Sequence, residues 1–208
     1  MTARATPDGA TPLKGLRAVS RYILLCGGFL IVVACGLIVV EIVMRQVFGS
    51  SLGGVDELAG FALAVGTAWS FGAVLLDKAH VRIDTVYACF GEKGRALLDI
   101  LSLAGTVLFM STMLYFATEV LTTSIRFGAS SQSSLAIPKS VPQAMWVAGL
   151  GWFLLVAVIL LFHSLAALAR GDWKQVGRLA GTPDIEAELS AELADTEQRN
   201  AGEKEALT

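Results

Sequence analysis

Four long stretches without charged residues constrain how this chain can fold. None of them contains Asp, Glu, Lys or Arg, and they occupy residues 22–40, 58–76, 100–118 and 140–169. A helix needs about 20 residues to cross a hydrocarbon layer of about 30 Å, so each stretch can span a bilayer. Lipid-exposed backbone must be paired within its own segment, and the stretches lack the alternation of a barrel strand. We therefore predict an all-α integral membrane protein with four transmembrane helices, at about residues 22–43, 58–76, 97–119 and 143–169.

The composition supports a membrane protein. Hydrophobic residues make up 54% of the chain, charged residues 16%, and the mean hydropathy is +0.64, which is unusual for a soluble domain of 208 residues. The first stretch follows several basic residues, as a secretory signal does, but it is 19 residues long. Signal peptides usually have an apolar region of about 7 to 15 residues and small residues at the cleavage site. Glu41 and Arg45 follow here instead, so we interpret the stretch as a retained anchor.

The distribution of basic residues predicts the orientation. The N-terminal segment, the second loop and the C-terminal tail together hold 13 of the 16 Lys and Arg residues, and the first and third loops hold the other 3. Lys and Arg are enriched in cytoplasmic loops. Both termini are therefore predicted to be cytoplasmic.

Three regions follow from these spans. Residues 1–20 form a cytoplasmic N-terminal segment, residues 21–170 form the four-helix transmembrane domain, and residues 171–208 form a tail. Residues 184–205 hold 8 of the 18 acidic residues of the chain. Clustered charge with few apolar residues favours disorder, so we expect the acidic cytoplasmic tail to be mostly disordered.

The loop between the second and third spans has a helical pattern of apolar residues. Ile83, Val86, Tyr87 and Phe90 recur at helical spacing and Gly91 follows them. An apolar face of this kind favours the headgroup boundary. We predict a short cytoplasmic interfacial helix here, with nearby basic residues available to anionic lipid: Arg82, Lys93 and Arg95.

The second span presents small residues on one face and acidic residues at its start. The small residues allow close approach of another helix, in this chain or in a partner; they are Ala59, Ala62, Gly66, Ser70 and Ala73. Asp56 and Glu57 lie where the exposed amides of a helix N-terminus favour negative charge. Glu41 and Arg45 stand four residues apart at the end of the first span, so we expect an ion pair between them.

The sequence gives little support for catalysis. It contains no HExxH, GxSxG or Walker-type motif. His80 and His163 could be considered as ligands of one haem, but the predicted topology separates them by about 15 Å in depth. We therefore expect neither an enzyme nor a cofactor. Two alternatives remain open, a haem- or quinone-binding membrane anchor of a respiratory oxidoreductase and a self-contained channel or exporter.

Several short motifs occur in a fixed order relative to the four spans. They are Arg45-x-x-Phe48 after the first span, Asp56-Glu57 opening the second, Gly72 within it, His80-Val81-Arg82-Ile83-Asp84 after it, and Gly128, a Ser-rich stretch and Ile137-Pro138 before the fourth. In this order, over residues 20–170, the chain resembles the small membrane subunit of tripartite ATP-independent periplasmic (TRAP) transporters, the DctQ type. It departs from that family at Gly54 and Ser140, where tryptophan is frequent.

The resemblance implies a scaffold in the bacterial inner membrane with both termini cytoplasmic. Its partners would be a large permease subunit that carries the substrate and sodium sites, a periplasmic solute-binding protein and membrane lipid, with no nucleic acid. The transported solute would be an organic anion. The resemblance also implies that Asp56 and Glu57 help to dock the binding protein or orient the loop, and that His80, Arg82 and Asp84 fix the cytoplasmic turn against the large subunit. Helix capping or lipid anchoring is the alternative explanation for each of these residues. The candidate partner or structural residues are Arg45, Asp56, Glu57, Gly66, Gly72, His80, Arg82, Asp84 and Pro138.

Overall fold

A computed structural model describes residues 14–77, 90–131, 133 and 135–181. These described residues form five helices, which we number α1 to α5: Lys14–Phe48, Val55–Leu76, Glu92–Arg126, Ser140–Ala169 and Trp173–Ala180. The described part of the chain has no strand, only one isolated antiparallel bridge between Ser130 and Pro138. The all-α prediction is confirmed.

Four of the helices are long and apolar enough to cross a membrane, namely α1 to α4. Each contains one of the predicted spans, and α4 has the same limits as the last uncharged stretch. The helices α1 and α3 are longer than predicted, at 35 residues each. A helix of that length extends for about 52 Å, well beyond the hydrocarbon layer. Both helices therefore extend beyond the apolar region, and the residues in these extensions include charged ones.

Most of the loop between the second and third spans lies outside the described residues. The interfacial helix over residues 83–90 falls almost entirely outside the described residues, and so do His80, Arg82 and Asp84. The predictions for them stay predictions. The described residues form two compact units. Unit 1 takes α1, α2, the part of α3 from residue 104 and the part of α4 up to residue 159, and unit 2 takes residues 90–103 and 160–181.

In unit 1, α1 and α2 pack closely in an antiparallel pair. A Cβ atom added to Gly27 would lie 2.8 Å from the carbonyl oxygen of Gly66, and one added to Gly66 would lie 2.9 Å from the carbonyl oxygen of Gly27. Each glycine therefore admits the backbone of the other helix. Ser70 belongs to the same contact, since its Oγ would lie 3.1 Å from a Cβ at Gly27. Such close approach gives membrane helices the packing contacts that hydrophobicity alone cannot supply.

Substitution of Gly27 by alanine is expected to weaken this crossing by about 2 kcal/mol, the usual cost of overpacking. The added methyl group would collide with backbone, which cannot move aside as a flexible side chain can. Gly28→Ala is the matched control, because a Cβ at Gly28 has nothing within 4 Å. SDS titration of both variants measures the difference, and equal midpoints would contradict the proposed crossing.

The helices α2 and α4 run parallel and exchange glycine and tryptophan. A Cβ at Gly72 would lie 2.8 Å from Nε1 of Trp152, and a Cβ at Gly149 would lie 2.7 Å from Cδ1 of Trp69. Trp69 also donates its Nε1–H to the carbonyl oxygen of Met145 at 2.8 Å. Each indole thus fills the space that the opposite glycine leaves.

These contacts identify the neighbours of the small-residue face of α2. Gly66 and Ser70 meet α1, and Gly72, which lies on another side of α2, meets α4. The helix α3 joins the same unit through a buried cluster that comprises Ala68, Ala117 and Leu150. The neighbours of α2 therefore include helices of its own chain on more than one side.

Unit 2 contains the short helix α5, which the sequence analysis did not predict. Asp172 caps its N-terminus by accepting a hydrogen bond from the backbone N–H of Gln175 at 2.9 Å. Val176 is fully buried and packs with Ala96, Ile100 and Ala167. Residues 173–180 thus differ from the disorder expected across 171–208, because two turns of apolar side chains here have a protein surface to pack against. The acidic stretch 184–205 lies outside the described residues.

Candidate functional site

The candidate site is a group of polar residues in unit 1, which we call the loop cluster. It consists of the α1–α2 loop (49–54), the described residues of the α3–α4 loop (127–131, 133 and 135–139), and the helix residues Glu41, Arg45 and Glu57. Both loops follow or precede membrane spans, so their backbone groups lie where helices no longer pair them. The hydrogen bonds of the cluster replace that pairing.

Glu41 anchors the α1–α2 loop. Its carboxylate accepts a hydrogen bond from Arg45 Nη2 at 2.9 Å, one from the hydroxyl of Ser51, and one from the backbone N–H of Leu52 at 2.9 Å. Glu41 is only 4% exposed, whereas the side chain of Arg45 is 62% exposed. The expected ion pair is confirmed. The structure adds Ser51 and Leu52, so the carboxylate closes the loop as well as pairing with a cation.

The α3–α4 loop doubles back on itself. The N–H of Ser131 donates to the carbonyl oxygen of Ile137 at 2.8 Å, and the N–H of Lys139 donates to that of Ala129 at 2.9 Å. Pro138 lies opposite Ser130 in the isolated bridge. A proline has no N–H to donate, and at this position the neighbouring residues supply the pairing. The bridge brings the Ser-rich stretch next to the start of α4.

The two loops contact each other at the start of α2. Gly54 precedes α2 with a φ of 86°, a left-handed conformation that glycine adopts without strain. A Cβ at Gly54 would lie 2.6 Å from Cδ1 of Leu135. In the first turn of the helix, Glu57 accepts a hydrogen bond from the hydroxyl of Ser131, and Ser133 Oγ lies 2.8 Å from Ser131 Oγ.

The predicted site residues fall into three groups. Arg45, Glu57 and Pro138 belong to the loop cluster, and Asp56 lies exposed in the first turn of α2 beside it. Gly66 and Gly72 lie in helix contacts, and the residues of the His80–Asp84 motif are outside the described part. Sequence reasoning noticed the Ser-rich stretch but gave no role to Ser131, whose partner Glu57 is 74 residues away along the chain. No local pattern identifies a pair so far apart.

The loop cluster also exposes large apolar side chains. Phe127 is 82% exposed, Leu52 and Leu135 are also exposed, and Phe48, the last residue of α1 beside the cluster, is 68% exposed. Apolar groups beside satisfied polar groups mark a surface suited to a partner or to the headgroup boundary. The described residues contain no group of three or more His, Cys, Asp and Glu side chains that could hold a metal. The arrangement is that of an interaction surface built on closed loops.

Substitution of Glu57 by glutamine is expected to weaken the contact between the two loops and to lower the thermal unfolding midpoint by a few degrees. Glutamine keeps the shape but removes the charge that accepts from Ser131, and hydrogen bonds to charged groups are the stronger ones. Asp56→Asn is the control, because it also removes one negative charge, but from the exposed side chain that precedes Glu57. The midpoint is measured as the temperature at which heating removes half of the monodisperse peak in size-exclusion chromatography. Equal midpoints for the two variants would show that the contact does not contribute.

The fold and the loop cluster define a class, an α-helical membrane protein with four spans whose described loops at one end of α1 and α2 form a polar, closed surface. A family model described as "Tripartite ATP-independent periplasmic transporters, DctQ component" matches residues 34–167, well over half of the chain. The chain belongs to this family. It is therefore a small permease component of a tripartite transporter and a multi-pass protein of the inner membrane.

No curated protein and no solved structure matches the chain significantly. The family is a transporter component and not an enzyme family, and its match does not support the alternative of a respiratory haem or quinone anchor.

Proposed function

We propose that this chain is the scaffold subunit of a TRAP secondary transporter that takes up an organic anion with a coupling ion. It braces the large permease subunit, which carries the substrate and ion sites. The observation that supports this role is the packing of unit 1. Glycine, alanine and tryptophan contacts hold α2 between α1 and α4, and the residues at these contacts are uncharged. Close packing of this kind favours a rigid brace over a path for ions.

Purification from native membrane tests the role. We expect a larger multi-span protein to co-purify with this chain. The chain purified alone is expected to bind neither organic anion nor sodium at physiological concentration in calorimetric titration. Solute binding by the isolated chain would contradict the scaffold role.

The orientation is part of the proposal. Both termini are cytoplasmic and the loop cluster is periplasmic, which rests on the 13 to 3 division of basic residues. Reporter fusions at Gly53 and Gly91 test it. A periplasmic signal is expected from Gly53 and a cytoplasmic one from Gly91, and the reverse pattern would overturn the orientation.

The loop cluster is the part of this chain that meets the periplasmic solute-binding protein. Its exposed Phe127 offers an apolar contact on a loop that hydrogen bonds hold in place, and Asp56 in the adjacent first turn of α2 offers a charged one. A photo-crosslinking residue at Phe127 is expected to capture the binding protein in the assembled transporter. The same residue at Tyr22, which is exposed near the other end of α1, is the control. Capture from Tyr22 and not from Phe127 would place the contact elsewhere.

A further inference from the structure

The short helix α5 is fixed against unit 2 by its apolar face. Val176 is fully buried and Ala180 is buried, both in contact with protein rather than left for the membrane. The cap from Asp172 fixes the first turn. Val176 and Ala180 therefore occupy the apolar face of α5, and the sequence of this helix also contains Lys174 and Arg178.

Two further basic side chains reach the first turn of α5 from the long helices. Lys93, at the start of α3, has its Nζ 5.8 Å from the centre of the Trp173 ring, within the range of a cation–π contact. Arg170, just after α4, donates from Nη2 to the side-chain oxygen of Gln175 at 3.3 Å. Both residues are exposed. Positive charge from two segments of the chain, the start of α3 and the end of α4, therefore lies close to the first turn of α5.

Exposed apolar side chains continue from these basic residues along the spans. On α3, Leu97 and Leu101 follow Lys93 at four-residue intervals, which places all three on one stripe about 6 Å apart. Leu97 is 60% exposed and Leu101 is 67% exposed. On α4, exposed Phe162 and Leu165 precede Arg170. Each helix thus offers an apolar strip that ends in a cation, which matches the acyl chain and phosphate of a phospholipid.

The described charges at the surface of unit 2 favour an anionic headgroup. Among the acidic residues whose side chains the structure describes in unit 2, Asp172 is engaged as the helix cap and Asp99 is 1% exposed. The exposed described charges are those of Lys93, Arg95 and Arg170. A zwitterionic headgroup carries a cation that these basic side chains would repel, whereas an anionic headgroup has a net negative charge that they would attract.

We propose that Lys93, Trp173 and Arg170 form a binding site for the headgroup of an anionic phospholipid, whose acyl chains lie along Leu97 and Leu101. The site fixes the end of α4 and the helix α5 at the membrane surface. Basic residues near an anionic membrane surface each strengthen binding by about fivefold. The site does not depend on the transporter's substrate or on the proposed orientation.

Native mass spectrometry of the full chain tests the site directly. The protein is held in mild detergent with equal amounts of phosphatidylglycerol and phosphatidylcholine that have the same acyl chains. We expect phosphatidylglycerol to be retained at least about fivefold more than phosphatidylcholine, with the preference falling as salt is raised.

Variants distinguish this site from a general effect of charge. The double variant Lys93→Gln/Arg170→Gln is expected to bring the retention ratio close to one. The variant Arg21→Gln/Arg126→Gln removes the same charge from other exposed basic residues and is expected to keep the preference. Lys93→Arg/Arg170→Lys changes the same two residues but keeps their charge, and it is expected to keep the preference for phosphatidylglycerol. A loss of preference in the Gln variant alone would therefore be due to the lost charge and not to a disturbed fold.

Three results would overturn the proposal. They are equal retention of the two lipids by the unaltered chain, an unchanged preference in Lys93→Gln/Arg170→Gln, and a preference that emerges only after residues 182–208 are deleted. The last result would mean that the acidic tail, and not a lipid, occupies the basic surface.

Discussion

Replacement of Gly149 by leucine is expected to force α2 and α4 apart and to cost about 3 kcal/mol of helix-packing free energy. A Cβ alone at this position would lie 2.7 Å from Trp69 Cδ1 and 3.0 Å from the backbone nitrogen of Trp69. The indole cannot rotate away without losing its hydrogen bond to the carbonyl oxygen of Met145. SDS titration of the purified protein measures this loss of free energy. A change in the intensity and wavelength of the Trp69 fluorescence is expected to accompany the separation of the two helices.

The control lies two residues further along the same helix. A Cβ at Gly151 has nothing within 4 Å, so Gly151→Leu is expected to leave the midpoint almost unchanged. The two variants share the helix, the residue types and the gain in hydrophobicity. If Gly151→Leu were as destabilising as Gly149→Leu, the exchange of glycine and tryptophan between α2 and α4 would not be the source of the effect.

Removal of the Glu41 carboxylate is expected to release the α1–α2 loop. In Glu41→Ala the hydroxyl of Ser51 and the N–H of Leu52 lose their acceptor, and Arg45 loses its ion pair. We expect hydrogen exchange at the Leu52 amide to accelerate by at least about tenfold, since this amide loses the hydrogen bond that protects it and becomes open to water. The thermal unfolding midpoint should fall by several degrees.

Glu119 supplies the comparison, because it is an exposed glutamate on α3. Glu119→Ala removes the same group without releasing a loop and is expected to leave exchange at Leu52 unchanged. Protection of the Leu52 amide in Glu41→Ala would mean that the loop holds its conformation without the carboxylate. If exchange accelerates as expected, the capture of the binding protein by the crosslinker at Phe127 can then be measured in the same variant, which links loop order to docking.

The long uncharged stretches made the helices predictable because their number and class depend on length and composition alone. The ion pair between Glu41 and Arg45 was predictable for a related reason, since four residues is a fixed distance on a helix. The helix α5 was missed because an eight-residue helix is too short to be stable by its own propensity. It depends on Val176 packing against Ala96 and Ile100 and on the cap from Asp172.

The loop cluster divides in the same way. The acidic pair at the start of α2 and the Ile-Pro element before α4 could be read locally, and the resemblance to the DctQ family followed from their order. The partner of Glu57 could not be read, because Ser131 becomes its neighbour only when two loops are brought together by α2 and α4. The same holds for the neighbours of the small-residue face, which the sequence left open between this chain and another.

The sequence by itself determined that this protein is all-α, crosses the membrane four times and belongs with the small TRAP permease subunits. The helices follow from the cost of placing charge and unpaired backbone in hydrocarbon, which acts on every residue separately. The family follows from the order of short motifs along the chain. The tertiary structure alone decided which glycines meet which tryptophans, which carboxylate closes which loop, and where Lys93 and Arg170 meet the helix α5. Those properties arise from contacts between residues far apart in the chain, and no residue carries such a contact in its own identity.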